Sequence, residues 1–327
     1  MNRILRVPNK ARALLTALLA AFAIDATAQA YPVRPITFYI SIAPGSIFES
    51  TFRRLAAEAS KTLGQPLVVE NKVGAGGKIG LQALMSSPND GYTIGMSYSG
   101  PMVTRAILDD GFNVQPGRDY LPVTISFLSP FVIAVNPGAP FKDLNGMLAY
   151  AKANPGKLGV SGTSPSSNAH LSWEMLKVMT GANINVVTHR GEAPAVIDLL
   201  NGTVTAAVVS ASIKPHFESG KLFGIATTGS KRWSAFPNLP SLDEAGVKGF
   251  NVSGWYGIVL PPGTSAAIVA RVQDAFTRPL ASPEMKKWLL DGGMEPGGNT
   301  PEEFAALIRS DIERWRPVLL KANIKLE

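Results

Sequence analysis

The sequence predicts an α/β protein made of two hinged α/β domains, with a ligand cleft between the two lobes. Two observations point there: short β-rich runs alternate with helical patterns in two separate blocks, and two extended apolar segments connect those blocks. A third sets how the fold is held. The 327 residues include no cysteine, so disulfides, thiolate nucleophiles and cysteine metal sites are excluded together. Stability rests on packing, which a chain of this length can supply over two cores.

The first block opens with Ile36-Thr37-Phe38-Tyr39-Ile40, a strand that ends at a Pro44-Gly45 turn. Phe52, Leu55, Ala56, Ala59 and Leu63 then recur at helical spacing, and Gly64 stops the helix. Pro66 to Glu70 reads as a second strand, Leu81 and Leu84 mark a second helix, and Tyr92 to Met96 forms a third strand. This β-α-β-α-β order predicts a mainly parallel sheet with helices on its faces.

The second block repeats the alternation. Leu158 to Ser161, Ile184 to Val187, Val204 to Val209 and Phe223 to Thr227 read as strands. Leu171, Met175, Val178 and Met179 mark one intervening helix, and Pro194 to Leu200 forms another. The chain ends in helices, one carrying Ile268, Val269, Val272 and Phe276, the other Phe304, Leu307, Ile308, Ile312 and Trp315. Phe131 to Asn136 and Trp255 to Leu260 read as the crossovers. The expected division is a leader over 1–30, lobe 1 over 31–130 plus 255–327, and lobe 2 over 131–254.

The leader has the order of a secretory signal. Arg3, Arg6, Lys10 and Arg12 precede an apolar run from Ala13 to Ile24, and Ala28-Gln29-Ala30 supplies a small-residue cleavage site. That run is shorter than the roughly 20 residues of a membrane span, and no cysteine stands ready for a lipid. The expectation is export to the periplasm as a free, soluble monomer. Formal net charge is +7, and loss of the leader's four basic residues and one acidic residue leaves +4. No basic cluster with interleaved aromatics accompanies it, which excludes nucleic acid as a partner and mildly favours anions.

Two glycine turns are candidate anion sites. Gly74-Ala75-Gly76-Gly77-Lys78-Ile79-Gly80 fails both nucleotide fingerprints, because Ile79 stands where a dinucleotide loop needs glycine and a phosphate loop needs a hydroxyl. It remains a turn before a helix, with Ala75 and Gly76 placed for anion contact or serving only as a tight connection. Gly45, Ser46, Ile47, Phe48 and Glu49 form the better candidate, at the end of a strand and the start of a helix. Ser46 or Ser50 could simply cap that helix, and Glu49 suits its first turn in any case. Ile47 and Phe48 need a cover, either the opposite lobe or the ligand.

Ser97 and Ser99 follow one strand, and Thr163 and Ser164 follow another, offering hydroxyls at lobe edges. Neither loop completes the G-x-S-x-G nucleophile elbow. His170, His189 and His216 lack metal-ligand spacing. No cofactor, metal or catalytic residue is expected.

Several segments, in order, resemble the substrate-binding proteins of tripartite tricarboxylate transporters, the Bordetella uptake gene (Bug) family. They are Tyr31-Pro32 with Pro35-Ile36, Leu63-Gly64-Gln65-Pro66, Val68 with Glu70-Asn71, Gly74-Ala75-Gly76-Gly77 with Gly80, Asp90-Gly91-Tyr92-Thr93, Tyr150 to Lys157, and Pro240 to Gly246. The resemblance implies a two-lobed, type II-like periplasmic binding protein fold that closes on a ligand. It also implies a ligand carboxylate held by backbone amides near the first two glycine turns, and partner membrane permease subunits driven by an ion gradient. The matching ligand loops are Gly45 to Glu49, Ala75-Gly76, Ser97 to Gly100, Thr163-Ser164 and Thr188 to Gly191, the last placing His189 at the site. The chain departs from the family at Ser46, Glu49 and His189, and these departures predict a flatter, partly apolar or aromatic carboxylate packed on Phe48 and Ile47. A periplasmic sensor feeding a receptor, and an esterase-like enzyme using His189 with a loop serine, are the alternatives.

Overall fold

A computed structural model describes residues 31–163, 167–189, 191–322 and 324. The expected leader, Ser164 and Arg190 lie outside the described residues. The protein has two sheets. Strands β1 (Ile36–Ile40), β2 (Leu67–Asn71), β3 (Thr93–Tyr98), β4 (Leu121–Ser129), β10 (Gly254–Leu260) and β11 (Glu295–Pro296) form one, in the order β11-β4-β10-β3-β1-β2. Strands β5 (Val132–Val135), β6 (Leu158–Gly162), β7 (Ile184–Thr188), β8 (Ala206–Val209) and β9 (Phe223–Thr227) form the other, in the order β7-β6-β8-β5-β9.

Helix α1 (Ile47–Leu63) shows how the sequence builds these lobes. Ser46 accepts the Glu49 amide at 3.1 Å as its cap, Phe52, Leu55, Ala56, Ala59 and Leu63 are buried, and Gly64 closes it at φ 75°. Burying a side chain such as Phe52 or Leu55 contributes about 1.5–3 kcal/mol. Helices α2 (Lys78–Met85), α3 (Ala106–Leu108), α8 (Ala266–Ala281), α9 (Pro283–Asp291) and α10 (Pro301–Lys321) surround the first sheet, and a π-helical turn over Gly100–Arg105 leads into α3. Helices α4 (Leu144–Ala153), α5 (Asn168–Thr180), α6 (Glu192–Leu200) and α7 (Lys214–Glu218) surround the second.

The sheets are mixed, not mainly parallel. Strand β1 pairs parallel with β2 and β3, as its β-α-β connections require, but β10 runs antiparallel to β3 and β4. In the second sheet β6 is parallel to β7 and β8, whereas β5 is antiparallel to β8 and β9. The reason is topological: β5 and β10 enter their sheets from the other lobe and so arrive against the local strand direction. These two strands are the segments expected to be crossovers. Each is instead an interior strand, and the passage between sheets shrinks to Pro130-Phe131 and the stretch before Gly254. Gly257 in β10 shows the tight fit there, since a Cβ at that position would meet the Phe304 ring of α10 at 2.5 Å.

Candidate functional site

A cleft of about 400 Å³ draws its walls from both lobes. Phe48, Tyr98, Ser99, Gly100 and Tyr256 belong to the first sheet, its helices and their connections, Thr163, Ser167, Asn168, Ala169, Gly191 and Glu192 to those of the second, and Phe131 to the passage between the sheets. A larger groove of about 580 Å³ runs between Leu121, Val269 and Pro301, all on the first lobe, and involves nothing of the second.

Three helix starts reach this cleft: Phe48 of α1, Asn168 and Ala169 of α5, and Glu192 of α6. The π-helical turn beginning at Gly100 adds a fourth. Amides in a first turn lack intrahelical acceptors and carry partial positive charge, so such ends suit an anion. No cationic side chain is present among the described lining residues. A carboxylate here would be held by amide and hydroxyl donors.

The apolar side is an aromatic wall. Tyr256 lies between Phe48, at 4.7 Å between ring centroids, and Tyr98, at 5.7 Å, and stacks on Phe127 at 4.8 Å. Burial pushes the Tyr98 phenol up to about 12 and raises that of Tyr256 as well, so both hydroxyls stay protonated donors at neutral pH.

The expected site residues divide three ways. Phe48, Ser99 and Thr163 line the cleft. Others build its supports: Ser46 is spent as the α1 cap, and Glu49 is 3% exposed and ion-paired with Arg53. Gly45 precedes the cap at φ 95°, and Ser97 is wholly buried in β3. Ala75 and Gly76 lie outside the cleft lining, in left-handed conformation, with Gly76 against Arg105. A Cβ on neighbouring Gly77 would meet the Tyr98 ring at 2.8 Å, so this turn serves as the bed on which Tyr98 lies. Ile47 is 44% exposed and also lies outside the lining.

His189 lies outside the lining too. Its Nε2 donates to Asp198 at 2.8 Å, and its Nδ1 is hydrogen-bonded with Ser161 at 2.8 Å. Serine, histidine and aspartate in that order have the connectivity of a hydrolase triad. However, Ser161 is a fully buried strand residue, so no substrate carbonyl can reach it. The trio fastens β6, the end of β7 and α6 to one another.

Sequence reasoning missed Phe131, Asn168, Glu192 and Tyr256. Phe131 and Tyr256 belong to the segments read as crossovers, where their size among lobe-joining residues is a usable signal. Asn168 and Glu192 follow expected loops directly, at the first helical position.

The model of the tripartite tricarboxylate transporter family receptor matches residues 51–324. The chain belongs to that family. Among relatives of this receptor family, Protein BugT of Bordetella pertussis is 33% identical over 310 residues, covering 94% of this chain and 95% of BugT. An R. palustris structure with adipate is 30% identical with a TM-score of 0.73, covering 90% of this chain and 99% of that one. MatC from Rhodopseudomonas palustris with bound malate is 28% identical with a TM-score of 0.70, covering 88% and 100%. The two-lobed α/β architecture is thus the receptor family's own, and the chain is a solute-binding protein.

Proposed function

We propose that this receptor, exported to the periplasm, captures a small, partly apolar carboxylate between its lobes and presents it to the membrane subunits of an ion-gradient-driven transporter. The observation that carries the reading is the convergence of helix starts from both lobes on one cleft that has an aromatic wall. Among the described residues such a cleft gives a carboxylate donors without a counter-charge, and it gives a hydrocarbon chain or ring a face to pack on. The adipate and malate of the related structures support a small carboxylate. On this reading the lobes divide as 31–130 with 255–327, and 131–254, and closure brings Phe48 and Tyr256 toward Thr163 and Asn168. Phe48, Tyr98, Ser99, Thr163, Asn168 and Tyr256 contact the ligand. The protein binds without turnover, because the one serine placed beside a histidine base among the described residues is buried.

Calorimetry of the mature chain against mono-, di- and tricarboxylates tests this. The expected result is one-to-one binding of benzoate-like or medium-chain acids, with a melting temperature that rises with ligand concentration. A tight fit for citrate with none for benzoate-like acids would overturn the apolar part of the reading, and silence across all carboxylates would overturn the whole.

A further inference from the structure

Glu192 gives the cleft a charge polarity. It is the first residue of α6 and, among the described lining residues, the one that carries a charge. Its Oε2 accepts the Ser210 amide at 2.8 Å, and its Oε1 accepts the hydroxyls of Ser210, at 2.7 Å, and of Ser212. These three donors fix the carboxylate in place. All are neutral, so none cancels its charge, and Glu192 forms no ion pair among the described residues. The α6 dipole stabilises this anion. In return the anion neutralises the α6 start, so a ligand carboxylate is left with the starts of α1 and α5 and the turn at Ser99-Gly100.

We infer that the cleft selects a carboxylate that also carries a cationic nitrogen, with the nitrogen directed at Glu192 and the carboxylate at the other helix starts. This rests on the carboxylate reading above and narrows it to amino-carboxylates. A dicarboxylate would bring a second negative charge into a small, partly desolvated space beside Glu192, where charges interact far more strongly than in bulk water. An amino-carboxylate reverses that sign. The rings of Tyr98 and Tyr256 favour the same ligand, since aromatic faces attract cations and also pack on the apolar spacer.

The test is calorimetry of the mature chain with two matched triplets. One is adipate, 6-aminohexanoate and hexanoate; the other is terephthalate, 4-(aminomethyl)benzoate and 4-methylbenzoate. In at least one triplet the amino-carboxylate is expected to bind about tenfold or more tighter than both companions, a tenfold step being about 1.4 kcal/mol. Glu192→Gln should erase that advantage and strengthen the dicarboxylate. If acids bind but the amino-carboxylate has that advantage in neither triplet, the inference is overturned and the carboxylate reading stands. An advantage that persists in folded Glu192→Gln overturns it too. If none of the six acids binds, this inference falls together with the apolar part of the carboxylate reading. The ranking by the unmodified chain decides alone if Glu192→Gln does not fold.

Discussion

Thr228 is bonded to Phe131 twice: its amide donates to the Phe131 carbonyl at 2.9 Å, and its hydroxyl accepts the Phe131 amide at 2.9 Å. The same hydroxyl donates to the Val252 carbonyl at 2.6 Å, and the Val252 amide donates to the Thr228 carbonyl at 2.8 Å. Phe131 and Val252 stand at the two passages between sheets, so one fully buried threonine ties both together. Phe131 also lines the cleft. The knot therefore holds one cleft-lining residue fixed to both passages.

Thr228→Val keeps the shape and removes the hydroxyl, leaving a buried amide and carbonyl short of a partner. The expected cost is about 1–3 kcal/mol of stability, measured as a lower urea midpoint. Thr228→Ser should recover most of it.

Tyr256→Phe preserves the stack on Phe48 and Phe127 and deletes one donor. Its melting temperature should stay close to that of the parent chain, while carboxylate affinity falls about fivefold, the worth of one net hydrogen bond of about 1 kcal/mol. Tyr256→Ala, by contrast, should lose both stability and binding, as calorimetry and thermal melts together would show.

His189→Ala tests the fastening role against a catalytic one. Loss of the bonds to Ser161 and Asp198 should destabilise the second lobe by about 1–3 kcal/mol. Activated esters should be hydrolysed no faster by the unmodified chain than by the variant. A rate that disappears with the substitution would instead establish catalysis.

His170 makes stability depend on pH. Burial holds its imidazole below the ordinary range, with Glu174 acting against this and Lys177 in the same direction, and its Nδ1 has no hydrogen-bond partner among the described residues. Below about pH 6.5 the unfolded chain takes up a proton that the folded chain resists. Stability from this group is therefore full above that pH and declines as pH falls through it. Thermal melts at about pH 5.5 and pH 7.5 should show the difference, and His170→Gln should shrink it.

Much of the local structure was legible from spacing. The buried face of α1, its end at Gly64 and the parallel set β1, β2 and β3 all follow from short-range pattern, because amphipathic period and turn chemistry are local properties. Strand β4 and the antiparallel insertion of β5 and β10 were not legible, since their directions depend on how the chain returns from the other lobe. At the site, Phe48, Ser99 and Thr163 were readable as loop residues beside strand ends. Ser46, Glu49 and His189 were equally plausible by that logic, and each is bonded to another residue of the chain.

The sequence by itself determined a cysteine-free, two-block α/β chain with the succession of segments found in its family, because composition and periodicity are written along the chain. Only the tertiary structure decided which polar groups face the cleft and which are used up in support. Hydrogen-bond partners far apart in sequence, such as Ser161 with His189 and Glu192 with Ser210, make that decision. A side chain's chemistry is available to a ligand only after the fold has assigned its other bonds.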